Sequence, residues 1–306
     1  MKNPCPHFDP KKTLFNARLT DLSNRSPSPN ERVIVRNGYY RRRSDCKKID
    51  RFFCRVCKRY FSRASYSASY QQKKRRLNPV IDKLLASGVS QRQAARILKI
   101  NRKTVVRKFR FIAEQRKLEH ARWLKTMSEK PLLEVQFDDM ETSEHSKCKP
   151  LSIALAVDPS TRKILSFKVS QMPAKGRLTH IAKKKYGPRK DERGKGWRAL
   201  MSDLKSVVAP SALFVSDENP HYSRFVKKDF KEATHKTYKG RRACVAGQGE
   251  LKKGGFDPLF ALNHTAAMLR AHLNRLFRRT WCTTKKRGEL ERHIWLYVHH
   301  HNHLLT

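Results

Sequence analysis

Two carboxylates that each follow a short apolar run could act together in metal-assisted chemistry. Residues 132–137 lead into Asp138, and residues 212–216 lead into Asp217. Both runs predict buried strands, and Asn219-Pro220 ends the second one. If the strands are neighbours, the two carboxylates meet at one edge of a sheet, where they can hold divalent metal ions. The alternative is that each Asp only ends a strand. The other motifs of the chain are needed to distinguish this interpretation from a metal site.

The charge of the chain indicates a polyanionic partner. Its 306 residues include 69 Lys and Arg against 26 Asp and Glu, a net charge of +43, and the sequence pI is about 10.5. The excess is spread along the sequence and is not confined to a tail. Double-stranded DNA is the expected partner, because phosphate neutralisation by Lys and Arg supplies much of the affinity in such complexes.

Other features of the composition argue against a membrane or secreted protein. No apolar run reaches the ~20 residues that a membrane-spanning helix needs, and the first residues lack the apolar stretch of a signal peptide. Seven cysteines in such a chain favour reduced thiols or metal binding over a disulfide framework. We therefore expect a cytoplasmic, nucleoid-associated protein.

The pair Cys54-x-x-Cys57 has the spacing of half of a structural zinc site. The other half would be Cys5 and His7, with Cys46 as an alternative ligand. A polar N-terminal segment of about 70 residues can hardly build a stable core without such a metal. The sequence predicts a structural zinc ion, and the alternative is a set of buried or spare cysteines.

A helix-turn-helix pattern occupies residues 80–109. Gly88 ends a first helix, Ser90 caps a second and Asn101 caps a third. Small residues before the turn permit close helix packing, and the third helix, at 102–110, begins with basic residues suited to the major groove. A helical hairpin without DNA-binding activity is the alternative. The side chains expected to contact DNA are Arg92, Arg102, Lys103 and Arg107.

The remaining pattern predicts three strands, then helices and strands in alternation, and two final helices. The expected elements are strands at 132–137, 151–157 and 163–169, a helix at 197–208, the strand before Asp217, a helix at 222–230, a strand at 233–238, a helix from Asp257 to about Arg279 and a helix at 288–301. The first three strands have short connections, which predicts an antiparallel meander.

The basic segment 175–205 is either a solvated surface or a phosphate-tracking surface, and its charge does not distinguish between these two interpretations. The histidines at 299–303 are expected at an exposed helix end.

In this order, the motifs resemble small bacterial insertion-sequence transposases of the first-described insertion-sequence type. Phe137-Asp138-Asp139-Met140 resembles the family's apolar-Asp-Glu motif, and Ser216-Asp217-Glu-Asn-Pro-His-Tyr222 resembles its Thr-Asp-Gly-x-Pro-x-Tyr motif. Residues 262–280 resemble a third motif, Ile-Glu-Arg-Asn-Asn-x-x-Leu-Arg followed by Arg-Leu-x-Arg-Lys-Thr. The resemblance covers most of the chain and is loosest in residues 1–70.

The resemblance assigns Asp138 and Asp217 as the first two catalytic metal ligands and places Asn263 where the family has a catalytic Glu. An Asn oxygen can ligate Mg²⁺ or Mn²⁺ but adds no charge. Glu250 is an alternative third ligand in a Gly-rich loop, whereas Asp257 is expected to serve as a helix cap. Asn263 is preferred, because a helix holds a ligand more rigidly than a loop does.

The resemblance implies an α/β chain of three domains: a zinc-ribbon-like DNA-binding module at 1–70, a helix-turn-helix domain at 71–128 and a ribonuclease-H-like mixed-sheet catalytic domain at 129–306. It implies a DNA transposase that binds terminal inverted repeats and target DNA as a homo-oligomer. The reaction would be two-metal phosphodiester hydrolysis followed by strand transfer. A catalytically degenerate DNA-binding regulator is the first alternative, and Asn263 favours it. A ribosomal or nucleoid structural protein would explain the charge but not the two Asp motifs.

Overall fold

The chain divides into two units, Met1–Arg75 and Arg76–Thr306. The computed structural model describes residues 33–43, 46–239, 257–277, 282 and 284–305. None of the described helices has both the length and the apolar composition that crossing a lipid bilayer requires. The three-domain division expected from the sequence stays a prediction.

In the first unit, the described residues form a three-stranded antiparallel sheet. Its strands are β1 (Ile34–Arg41), β2 (Lys48–Cys54) and β3 (Arg59–Phe61), and a short 3-10 helix, Arg63–Tyr66, follows. Cys54 is buried at the end of β2, and Cys57 lies partly buried in the turn to β3. Both belong to a small apolar cluster with Phe61. The Cys-x-x-Cys pair therefore occupies a tight hairpin turn, which suits two thiolates aimed at one metal.

Three helices open the second unit: α1 (Asn78–Ala86), α2 (Gln91–Ile97) and α3 (Arg102–Met127). The predicted caps are confirmed. Ser90 accepts a hydrogen bond from the amide of Gln93, whose side chain accepts one from the amide of Ser90 in return. Asn101 accepts from the amide of Lys103 at 2.8 Å. Gly88 has a positive φ of 78° where the chain turns between α1 and α2.

The recognition helix expected at 102–110 is the first part of helix α3, which continues to Met127 because no helix-breaking residue follows its first turns. Its buried face includes Val105, Phe109, Ile112 and Ala113, at the spacing of an amphipathic helix. This face packs against α1 and α2, and Leu296 of the C-terminal region joins the same core. The three helices are thus fixed to the rest of the second unit.

A five-stranded mixed sheet forms the centre of the second unit, in the order β6-β5-β4-β7-β8. The strands are β4 (Leu132–Ser143), β5 (Pro150–Val157), β6 (Ile164–Gln171), β7 (Val208–Asp217) and β8 (Thr234–Tyr238). The predicted antiparallel meander of β4, β5 and β6 is confirmed. Strands β7 and β8 run parallel to β4 and to each other, which makes the sheet mixed.

Helices cover both faces of this sheet. Side chains of α5 (Arg193–Leu204) and α6 (Tyr222–Asp229) pack on one face, around Phe137 and Phe214. Side chains of α7 (Phe260–His272) and α8 (Arg287–His300) pack on the other, around Leu155 and Val215. A further helix, α4 (Leu178–Tyr186), lies in the basic segment 175–205, ahead of residue 197, where no helix was predicted. The unit is therefore a mixed α/β structure with a buried sheet.

The predicted boundaries of two helices and one strand were wrong. The helix expected at 197–208 ends at Leu204, and β7 begins at Val208 and contains Pro210. The proline is tolerated because the register between β4 and β7 shifts there, so its missing amide breaks no regular ladder bond. Helix α7 starts at Phe260 and ends at His272, because Leu273 adopts an extended backbone conformation.

The predicted exposed histidine end is also wrong in part. His301 and Asn302 are buried, and Asn302 bonds through its side chain to both the amide and the carbonyl of Ile164, each at 2.9 Å. The His301 ring nitrogen Nε2 lies 2.9 Å from the carbonyl oxygen of Arg162. The residues that follow α8 therefore form hydrogen bonds with the start of β6 and the residues before it. Such a long-range contact cannot be predicted from composition.

Candidate active site

Asp138 and Asp217 lie beside each other on neighbouring parallel strands. Gln136 of β4 is paired with Val215 of the parallel strand β7. Asp138 and Asp217 each lie two residues further along, so they are at the same level of the sheet. Neighbouring strands lie about 4.8 Å apart, and residues two apart share a face, so both side chains lie on the face covered by α7. The sequence predicted this meeting of the two carboxylates.

The position of Asp138 within its strand differs from the prediction. Strand β4 does not end at Phe137 but continues to Ser143, because β5 pairs with it along this whole stretch. On the opposite side, the pairing with β7 stops at Gln136. Asp138 therefore has a neighbouring strand on one side and an opening toward the end of β7 on the other, where Asp217 stands.

The electrostatics of Asp138 reflect this placement. Burial, and after it the charge of Asp217, raises the pKa of the Asp138 carboxyl from 3.8 to about 7. Two carboxylates held this close repel each other unless a proton or a cation lies between them. Among the described residues, neither carboxylate is paired with a Lys or Arg. The site is therefore arranged to gain from a bound cation.

Tyr222 holds Asp138 in place. Its hydroxyl donates to Oδ1 of Asp138 at 2.9 Å and accepts from the amide of Asp139 at 3.0 Å. The tyrosine is buried on the first turn of α6, where its ring packs against Phe137 with centroids 5.2 Å apart. Burial, together with the carboxylate of Asp138, raises the pKa of Tyr222, so the phenol remains a proton donor at neutral pH.

Asp139, next in sequence, has a different role. Its Oδ1 accepts from the hydroxyl of Ser152 at 2.5 Å and its Oδ2 from the indole of Trp197 at 3.1 Å. Burial raises the pKa of Asp139 as well. Both of its oxygens are engaged inside the other core, on the opposite face from Asp217. The structure thus separates two adjacent carboxylates and leaves Asp138 as the one that meets Asp217.

Asn263 lies on the first turn of α7, next to a contact between this helix and β4. The amide of its neighbour Leu262 donates to Oε1 of Gln136, and Nε2 of Gln136 donates to the carbonyl of Pro258 at 2.9 Å. Asn263 itself donates through Nδ2 to Oδ2 of Asp257 at 2.9 Å. Within the part of the chain that the structure describes, the side-chain oxygen of Asn263 has no donor and can act as an acceptor or a metal ligand.

Asp257 has the local role that was expected, although helix α7 begins later than predicted. Its Oδ1 accepts from the amide of Leu259 at 2.9 Å, two residues on. Since its other oxygen accepts from Asn263, both carboxylate oxygens serve the start of the helix. This arrangement orients Asn263 and makes Asp257 a support for that residue.

The donor chemistry of the pair fits a divalent cation. Oδ1 of Asp138 is bonded to Tyr222 and Oδ1 of Asp217 to the amide of Asn219, while within the described residues the two Oδ2 atoms have no hydrogen-bond donor. Among those same residues, no three His, Cys, Asp or Glu side chains form a group that could hold a metal ion. The predicted third ligand, Asn263, is not of these residue types and stays a prediction.

Three predicted metal ligands lie outside the described residues. They are Cys5 and His7 of the predicted zinc site and Glu250, the alternative third ligand. Cys46, the other possible zinc ligand, is exposed. The zinc site and the choice between Asn263 and Glu250 both stay predictions.

The residues expected to contact DNA line one groove. Arg92 of α2 and Arg102, Lys103 and Arg107 of α3 are exposed. Together with Glu289 and His293 of α8 and with Asn274, Arg275, Cys282, Lys285 and Lys286, they line a cavity of about 1140 Å³, the α3–α8 groove. Its described lining holds nine Lys and Arg side chains and one carboxylate, that of Glu289. The surface is strongly positive, as a phosphate-binding surface must be.

The roles of two site residues were not predicted from the sequence. Tyr222 was the last member of a motif, and its hydrogen bond to Asp138 depends on the fold. Gln136 lies inside an apolar strand and was not singled out. A polar residue in such a run is itself a signal, because a buried amide needs hydrogen-bond partners and therefore marks a contact with another element.

No family model matches the chain, and no curated protein is significantly similar to it.

Proposed function

We propose that the protein is a metal-dependent DNA transposase with a ribonuclease-H-like catalytic domain. The observation that carries this proposal is the juxtaposition of Asp138 and Asp217 on neighbouring strands, with one oxygen of each left without a donor in the described residues. The mixed sheet, with its antiparallel meander followed by parallel strands and covered on both faces, is compatible with that fold. The positive surface supports a nucleic acid as the substrate.

In this proposal Asp138, Asp217 and Asn263 hold the metal. Magnesium or manganese, when bound, supplies the charge that stabilises the attacking and leaving oxygens of a phosphodiester. Tyr222 orients Asp138 by its hydrogen bond, and Gln136 fixes the helix that carries Asn263. The reaction is hydrolysis at the end of a DNA element, followed by transfer of the freed 3′ end to target DNA.

The second part of the proposal concerns DNA recognition. The N-terminal end of α3 presents Arg102 and Lys103 as a recognition helix does, with Arg107 one turn further on. The N-terminal unit, with zinc held by Cys54 and Cys57 and completed by Cys5 and His7, would contact the same terminal inverted repeats. A homo-oligomer would bring two DNA ends together in the cell's nucleoid.

A catalytically inactive DNA-binding regulator is the second candidate. The absence of a three-member His, Cys, Asp or Glu group among the described residues favours it, because the predicted third ligand carries no charge. It would use the same α3–α8 groove and the same recognition helix. The two candidates differ only in whether DNA is cut.

The test uses the purified full chain and a supercoiled plasmid that carries the coding region with its natural flanking DNA. The transposase proposal predicts nicking next to the flanking repeats and joined strand-transfer products in Mg²⁺ or Mn²⁺, and none with chelator. Sequence-specific binding without a nick under either metal would favour the regulator. Equal affinity for all DNA sequences and no cleavage would contradict both candidates.

A further inference from the structure

Arg275 lies where the α3–α8 groove meets a second cavity. It lines the groove, and it also lines a neighbouring cavity of about 790 Å³ that is bordered by Met140 and Glu141 of β4. These two residues follow Asp138 on the same strand. Arg275 is thus placed between the surface that carries the recognition helix and the part of the sheet that carries the catalytic carboxylates.

The guanidinium of Arg275 has little compensation from the residues that the structure describes. It donates to the hydroxyl of Thr284 at a long 3.4 Å. Burial lowers the pKa of Arg275, and Glu289 offsets this only in part. Oε1 of Glu289 is already engaged, at 2.8 Å by Arg110 and at 3.1 Å by Arg292. A partly buried cation that lacks its own counterion costs stability, so the groove offers a place for an anion.

His293, on α8, also lines the groove and is buried. Its Nε2 lies 2.9 Å from the carbonyl of Leu85, so this nitrogen carries the proton and donates. Its Nδ1 is then an unprotonated acceptor, which cannot donate to a phosphate oxygen. The group at this position that can bind an anion is therefore Arg275.

We propose that the floor of the α3–α8 groove, at Arg275, binds a backbone phosphate of the duplex DNA that α3 contacts. Lys286, exposed at the rim, would contact a neighbouring phosphate of the same strand. The C-terminal part of the chain would then hold the DNA directly, next to the sheet that carries Asp138. This inference rests on the proposed DNA function and assigns to it a second contact, independent of base recognition.

The charge and the shape of the groove favour duplex DNA as the occupant. Its described lining takes basic side chains from α2 and α3, and also from a second part of the chain at Arg275, Lys285 and Lys286. A duplex presents phosphates on two sides of a groove, which two such sets of cations can contact together. Isolated inorganic phosphate would need only Arg275 and would leave the other cations without a role.

The experiment measures the affinity of the full chain for a mixed-sequence DNA duplex as a function of salt. Each phosphate contact contributes about 0.9 to the slope of log affinity against log salt, so Arg275→Gln should make that slope shallower by about 0.9. Lys286→Gln should act similarly. Both should weaken all sequences alike. Lys231→Gln, at an exposed residue between α6 and β8 that does not line the groove, removes the same charge and should leave the slope unchanged.

Thermal denaturation without DNA separates binding from folding. Because the described residues compensate the Arg275 cation only in part, Arg275→Gln should raise Tm while weakening DNA binding. A purely structural arginine would lower Tm and leave the salt slope unaffected. If Arg275→Gln does not fold, the slope of Lys286→Gln decides the matter.

The inference is overturned if both groove variants keep the wild-type slope and an affinity within twofold of wild type. Tighter binding of an RNA duplex of the same sequence, with the same loss in Arg275→Gln, would overturn the choice of DNA. A wild-type chain that binds no duplex would refute the proposed DNA function together with this contact. Binding without cleavage would refute only the catalytic proposal, so the two failures can be told apart.

Discussion

The carboxylate of Asp138 should destabilise the metal-free protein at neutral pH. Its pKa is raised from 3.8 to about 7 by burial and by Asp217. In the unfolded chain the group releases its proton near pH 3.8, whereas in the folded chain it keeps the proton to about pH 7. The folded state therefore binds more protons between these values, and stability falls as pH rises through this window.

The size of the effect follows from the shift. About three pKa units at 1.36 kcal/mol each amount to about 4 kcal/mol at pH 8. Asp138→Asn removes the charge but keeps an Oδ1 that can accept from Tyr222 and from the amide of Asp139. We expect this variant to be more stable than wild type by about 2–4 kcal/mol at pH 8 in chelator. Its advantage should shrink by about 1.4 kcal/mol per pH unit below pH 7.

Urea denaturation between pH 5 and pH 8 measures this difference. Asp229→Asn is the matched control, since Asp229 pairs with Lys205 at 2.7 Å and its loss should cost no more than about 1 kcal/mol. Magnesium or manganese at about 100 times its dissociation constant should stabilise wild type by about 2.7 kcal/mol and Asp138→Asn far less. If Asp138→Asn is less stable than wild type at pH 8 in chelator, burial and the charge of Asp217 do not destabilise the ionised Asp138 carboxylate and the reasoning fails.

Three further predictions concern the residues around the metal centre and the N-terminal unit. Tyr222→Phe should lower kcat for cleavage with little change in DNA affinity, because the hydrogen bond that orients Asp138 is lost; wild-type kcat would remove Tyr222 from the site. Cys54→Ser should lose the one zinc ion per chain that metal analysis of the wild type is expected to find, and a folded wild type without zinc would contradict the predicted site. Asn263→Ala should abolish cleavage while Glu250→Gln leaves it nearly unchanged, and the reverse result would move the third ligand to Glu250.

The parts of the fold that could be predicted are those encoded in local sequence. Ser90 and Asn101 cap helices because their side chains reach amides two or three residues away, within one turn of chain. The meander of β4, β5 and β6 was predictable because short turns force neighbouring strands to pair. The meeting of Asp138 and Asp217 followed from two strands of similar form, although nothing local required β4 and β7 to be neighbours.

What could not be predicted depends on partners that are distant in sequence. The length of β4 is set by β5, which pairs with Asp138 and the residues after it. The role of Tyr222 depends on the placement of α6 over the end of β4. The burial of His301 depends on a contact with Arg162, far away in the chain. Local pattern cannot distinguish such a histidine from one on an exposed helix end.

The most direct test of the central claim is strand cleavage by Asp217→Ala on the plasmid with flanking DNA, in Mg²⁺ and in Mn²⁺. Glu218→Ala, which removes the neighbouring exposed carboxylate, is the matched control and should cleave as wild type does. If Asp217 and Asp138 hold the metal, Asp217→Ala binds the DNA with wild-type affinity and shows no detectable cleavage, because a lost metal ligand removes the charge stabilisation of the reaction. Cleavage by Asp217→Ala at a rate within about threefold of wild type would contradict the site, since the loss of a metal ligand costs far more than that.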